Sequence, residues 1–254
     1  MNDVYQAPSA NLQEATQPYT GGGSIADGLA GNYKIDIGAI LSEAWSKING
    51  AKGTVWLAIL FYMIVTIPLS MAINFVLAKI GIVGHSGGPF STAFNGGGFL
   101  AQLIQTFVTM PMAAGMMMLG IKLAVRAPVE STEIFDYFPK VLNLVGTMVL
   151  WYVLVAIGFC LLVLPGIYLM IAYGLAFPLV VEKNMSPWEA LETSRRAISH
   201  HWFGVFGLYL VLMVLMFLAC IPLGIGLIWM LPMMLITMGV VYRTIFGYEG
   251  ATLP

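Results

Sequence analysis

The chain has 254 residues, 59% of them hydrophobic and only 9% charged, with a mean hydropathy of +0.87. Water-soluble domains carry roughly a quarter charged residues, so this composition excludes an ordinary soluble domain and places the chain in a bilayer. A formal net charge of −1 without any basic run excludes nucleic-acid binding, and two cysteines, Cys160 and Cys220, both inside apolar runs, exclude a disulfide framework or a CxxC metal or redox site.

In chain order, residues 1–35 are polar, have no apolar core and read as a disordered cytoplasmic tail rather than a signal peptide. Residues 36–254 form one transmembrane domain. Within 36–49, Ile37, Ile40, Leu41, Ala44, Trp45 and Ile48 share one helical face, opposite Glu43, Ser46 and Lys47. This spacing predicts an amphipathic helix in the cytoplasmic interface, with Trp45 at headgroup depth.

A helical crossing needs about 20 apolar residues, and the uncharged stretches 53–78, 80–121, 141–181 and 197–242 accommodate six of them. The predicted spans are 54–80, 99–125, 141–161, 164–182, 203–221 and 226–246, with a Gly, Ser and Asn-rich outer loop at 81–98. Pro165 and Gly166 suit the first turn of the fourth span, and Pro222, Gly224 and Gly226 punctuate the turn between the last two.

Two further interfacial helices are expected. Residues 131–138 (STEIFDYF) precede the third span, and 186–199 precede the fifth. In the latter, Ser186, Pro187 and Glu189 form a capping box with proline at the first helical position. Its apolar face is Trp188, Leu191, Ser194 and Ile198, and Glu192 reaches Arg195 and Arg196. Aligning Leu41 with Leu191 also matches Ala44 with Ser194, Ile48 with Ile198 and Val55 with Val205. The expected fold is therefore an all-α integral membrane protein, six transmembrane helices in three hairpins, each preceded by an interfacial amphipathic helix. Ten of the eleven Lys and Arg residues fall on one side, with Lys79 alone opposite, which puts both termini in the cytoplasm.

The predicted interior is quiet. No Asp, Glu, Lys or Arg lies mid-span, which weighs against proton-coupled transport. His200, His201 and Trp202 sit at the cytoplasmic interface, and Trp45, Trp188, Arg195, Arg196 and Trp202 are the expected interfacial anchors. Gln102, Gln105, Thr106 and Thr109 share a face of the second span that Asn74 could meet; interhelical hydrogen bonding and a polar substrate face are the two readings. Pro68, Pro111, Pro165, Pro178, Pro222 and Pro232 put about one proline in or at the end of every span, for packing kinks or a cavity. Clustered methionines, Met110 to Met118 and Met230 to Met238, raise Cu(I) binding against adaptable packing, and packing is favoured because no His-rich or CxxC segment accompanies them. No catalytic constellation and no cofactor motif is present.

The run from Leu164 to Phe246 resembles the membrane domain fused to some bacterial glycerophosphodiester phosphodiesterases and its stand-alone six-helix relatives. The residues that carry this are Pro165-Gly166-Ile167, Pro178, Glu182, Ala190 to Ser194, Trp202, Ile225-Gly226, Trp229, Pro232, Tyr242 and Phe246. The resemblance implies a bacterial inner-membrane module without its own catalytic centre, since the phosphodiesterase domain has no counterpart here. Two functions are carried forward. One is a non-enzymatic protein that contacts the phospholipid bilayer and supports another membrane protein, or a second copy of itself. The other is a transporter or channel for a neutral or amphiphilic solute through a proline-kinked cavity.

Overall fold

The computed structural model describes residues 22–81 and 96–249, all in helices or the turns between them. The expected tail up to residue 21 and most of the outer loop lie outside these residues. Among the described residues nine α-helices follow one another: α1 (Ile25–Ala30), α2 (Ile37–Lys79), α3 (Gly96–Ala124), α4 (Val141–Leu161), α5 (Val163–Ala172), α6 (Ala176–Glu182), α7 (Pro187–His200), α8 (Trp202–Cys220) and α9 (Leu227–Phe246). Six stretches of the described residues are long and apolar enough to cross a membrane: α2, α3, the segment ending in α4, α5 with α6, α8, and α9. That is the mark of a multi-pass membrane protein. Few residues in the most apolar stretches of α2, α4 and α8 are buried, whereas those of α3, α5 with α6, and α9 are about half buried.

Four elements differ from the sequence expectation. Residues 22–35 are structured rather than a loose tail: α1 is capped by the Ser24 side chain on the Asp27 N–H, the Gly23 N–H donates to the Arg243 carbonyl at 3.1 Å, and the Tyr33 hydroxyl donates to the Ala197 carbonyl at 2.7 Å. Residues 36–49 are not a separate helix but the first turns of α2, which runs unbroken for 43 residues. At about 1.5 Å per residue it is about 65 Å long, roughly twice the hydrocarbon thickness of a bilayer. The face expected to meet headgroups, Ile40, Ala44 and Ile48, is buried in protein, while Trp45 is exposed. Residues 131–138 form 3₁₀ turns, Ser131–Phe135 and the start of Phe138–Lys140, held where the Ser131 hydroxyl donates to the Thr54 carbonyl at 2.9 Å. Finally, the fourth span is broken between Ala172 and Ala176.

Lipid tails are as apolar as leucine, so association of apolar helices in a membrane depends on close packing. Glycine supplies it where α3 crosses α9. A Cβ on Gly239 would lie 2.2 Å from the Gly120 carbonyl oxygen, and one on Gly120 would lie 2.3 Å from that of Leu235. From α9, Met230, Met233, Ile236, Val240 and Ile245 recur at helical spacing in the buried core. The turn between α4 and α5 is one extended residue, Leu162, and Gly158 packs against Gly166 there. The capping box of α7 forms as the sequence predicts, with the Glu189 N–H on the Ser186 hydroxyl.

Candidate functional site

Three helix ends meet in the interior: the C-termini of α3, α6 and α9. A helix leaves its last carbonyls without intrahelical donors and carries a partial negative charge at that end. Cations gather accordingly. Lys47 and Arg243 both donate to the Ala124 carbonyl, and Lys140 donates to that of Val181. Arg243 also grips Glu43 from both guanidinium nitrogens, at 2.7 and 2.9 Å, and Lys122, 2% exposed, donates to Glu133 at 2.6 Å.

Glu182, the last residue of α6, is 1% exposed. A buried carboxylate is tolerated only when its oxygens are hydrogen-bonded or paired. Here the Tyr242 hydroxyl donates to one oxygen at 2.6 Å, the Glu249 N–H donates to the other at 3.0 Å, and Lys183 lies 3.4 Å away. Lys183 also sits 2.8 Å from the Glu249 carboxylate, so the segment after α9 is pinned to the end of α6 from both partners.

The break in the fourth span is the second feature. Pro178 has no N–H to return to the Gly174 carbonyl four residues earlier, and its ring opposes continuous helix there. Two backbone groups of the break are met from α7: the Ser194 hydroxyl donates to the Ala172 carbonyl at 2.7 Å and accepts from the Leu175 N–H at 3.2 Å. The break also borders a cavity of about 180 Å³ lined by Met117, Ile121, Leu175, Pro178, Tyr209, Met234, Met238 and Tyr242. The Tyr209 hydroxyl closes on Gly174, where a Cβ would lie 2.7 Å from its oxygen and make the ring shift.

The residues singled out from sequence are scattered. Asn74 is exposed and donates to the Ser70 carbonyl of its own helix at 2.8 Å; the Thr106 hydroxyl donates likewise to Gln102 at 2.8 Å. Gln102 is exposed, Gln105 and Thr109 are half-buried, and the cavity near that region, lined by Ala72, Ile73, Val76, Leu77 and Ile104, is apolar. Trp188 is exposed, and Trp202 stacks on Phe206 with centroids 5.0 Å apart. Arg195 and Arg196 both bind Glu192, whose carboxyl is held down to about 2, first by the Arg195 hydrogen bonds. Pro68, Pro111 and Pro232 lie inside helices, Pro165 and Gly166 lie in the first turns of α5, and Pro222 precedes two left-handed residues, Leu223 and Gly224. Of all of these, only Pro178 borders the cavity. Met117, Met234 and Met238 from the methionine clusters join it there, whereas Met112, Met118, Met230 and Met233 are packed in the core.

A surface cleft of about 290 Å³ beside Ser46, Lys47 and Arg126 offers little to an anion, because Lys47 is already engaged by Glu43 and the Ala124 carbonyl. Among the described residues no group of three His, Cys, Asp or Glu is placed to hold a metal ion. Comparison with known protein families, with curated proteins and with solved structures gave no match in any of the three.

Proposed function

We propose that the chain is a non-enzymatic multi-pass protein of a bacterial cytoplasmic membrane, with both termini cytoplasmic, that works through lipid contact and as support for a partner membrane protein. The observation that carries this reading is how the buried charges are used. Lys47, Lys122, Lys140 and Arg243 each bind a carboxylate or a helix-end carbonyl of the same chain, and Glu182 is bound by Tyr242 and Glu249. These groups hold helices together; they do not converge on an open cleft as a reaction centre would. The resemblance to membrane modules joined to phosphodiesterases supports the same class, and the excess of Lys and Arg on one side supports the orientation.

Native mass spectrometry on protein extracted with its surrounding lipid tests this. Retention of a stoichiometric protein partner or of one lipid class is the expected result; a chain that comes out alone and stripped of lipid would overturn it. A second reading, passage of a neutral or amphiphilic solute, is favoured by one observation: the broken span beside a cavity, an arrangement that transporters use for binding. Uptake into reconstituted vesicles decides it, and no solute above empty-vesicle background ends that reading.

A further inference from the structure

The cavity at the broken span shares only Tyr242 with the charged locks. Its lining is contributed by α3, α6, α8 and α9 together with the break itself, and it is apolar apart from tyrosine hydroxyls and backbone. The Tyr242 hydroxyl is already given to Glu182. The Ala172 carbonyl and the Leu175 N–H, two of the groups freed by the break, are met by Ser194, which is not part of the lining. Water needs two to four polar partners to be held in such a place, and an apolar cavity of about 150 Å³ stays dry yet accepts benzene.

We propose that this cavity holds a segment of one fatty-acyl chain, an inference that rests on the lipid-contact reading above. Three further observations favour that occupant. Every lining helix belongs to a stretch of membrane-crossing length and apolarity, the setting in which an acyl chain is at hand. A volume of about 180 Å³ takes a run of several methylenes but not a whole lipid. Three of the lining side chains are methionines, unbranched and adaptable, which fit a flexible chain of variable pose better than a rigid ligand requires. The chain comes from a bilayer phospholipid or from a free fatty acid; the chemistry recognised is the same.

The test is photolabelling of the full chain in phosphatidylethanolamine and phosphatidylglycerol vesicles. One arm carries a trace of phospholipid with a diazirine near the end of an acyl chain, the other a diazirine fatty acid of equal length. Label is expected on peptides holding Met117, Leu175 or Met238, in addition to the exposed α2 residues Ile64, Ile67 and Met71. Met238→Trp, which fills the space, should lower the cavity label at least fivefold and leave the α2 label unchanged; Met234→Phe serves if that variant does not fold. Whichever arm labels the cavity names the source of the chain, and either one supports the site. Label on α2 without label in the cavity, or cavity label indifferent to both fillings, would overturn the site while leaving lipid contact standing. Absence of label on α2 as well would instead overturn the lipid-contact reading.

Discussion

Gly120 and Gly239 bring the backbones of α3 and α9 into direct contact: a Cβ on Gly239 would lie 2.2 Å from the Gly120 carbonyl oxygen. Backbone on that side cannot swing away as a flexible side chain would, so even one methyl group forces the helices apart. Gly239→Ala is expected to cost about 1–3 kcal/mol or more, read as a lowered unfolding temperature in detergent. Gly50→Ala is the contrast. Nothing lies within 4 Å of that site in α2, and the substitution should be neutral or stabilising by up to about 1 kcal/mol.

Ser194→Ala leaves the Ala172 carbonyl and the Leu175 N–H without their partner in a site where Ser194 itself is fully buried. Each stranded buried group costs about 1–3 kcal/mol. Thermal unfolding should fall accordingly, and amide exchange at Leu175 should quicken more than exchange in the middle of α9. Equal exchange at both sites would mean that the break is held by something other than this hydroxyl.

Tyr242→Phe removes a donor 2.6 Å from a buried carboxylate, and hydrogen bonds to charged groups are worth about 1.5–3 kcal/mol. Glu182→Ala should be worse, about 2–6 kcal/mol, because it takes the acceptor from both the Tyr242 hydroxyl and the Glu249 N–H, at about 1–3 kcal/mol each. Stability measurements on both single variants and the double variant should show the two losses to be strongly non-additive. Simple addition would mean that the two side chains do not act as a pair.

Tyr33 gives a pH dependence. Burial pushes its hydroxyl up from 10.0 to about 12. Because the folded value lies above the unfolded one, the stability it contributes is fully present below pH 10 and is lost as pH rises through about 12. Protease cleavage within residues 22–35 should therefore increase over that window. Tyr33→Phe, which keeps the ring but has no hydroxyl to ionise, should abolish the pH dependence at some cost in stability at neutral pH.

The six apolar stretches were legible because a bilayer imposes length and composition on each crossing, and the α7 start was legible because Ser186, Pro187 and Glu189 are three local choices that agree. The break at Ala172 to Ala176 had a local signal too, Pro178 four residues after Gly174, but its partner Ser194 lies on another helix and nothing in the sequence points to it. The buried carboxylate was out of reach for the same reason: Glu182 ends a span, as an ordinary interfacial acid would, and Tyr242 is sixty residues away. The shared polar face on the second span had a local resolution that periodicity does not show. Thr66, Asn74, Thr106, Thr147, Thr237 and Thr244 each donate to the carbonyl four residues earlier in their own helix, which satisfies them without a neighbour.

The separation between Glu182 and Tyr242 also sets an order of events during synthesis. At about 5–20 residues per second, the ribosome needs roughly 3–12 seconds to travel from one to the other, and the 200 residues between Glu43 and Arg243 take several times longer. Throughout that interval the acids, and the α3 end that Arg243 helps cap, have been made with their near partners Lys183 and Lys47, while Tyr242 and Arg243 have not. The last helix is thus the keystone of the bundle, and whatever shelters a newly made membrane chain must hold Glu182 and Glu43 until it arrives.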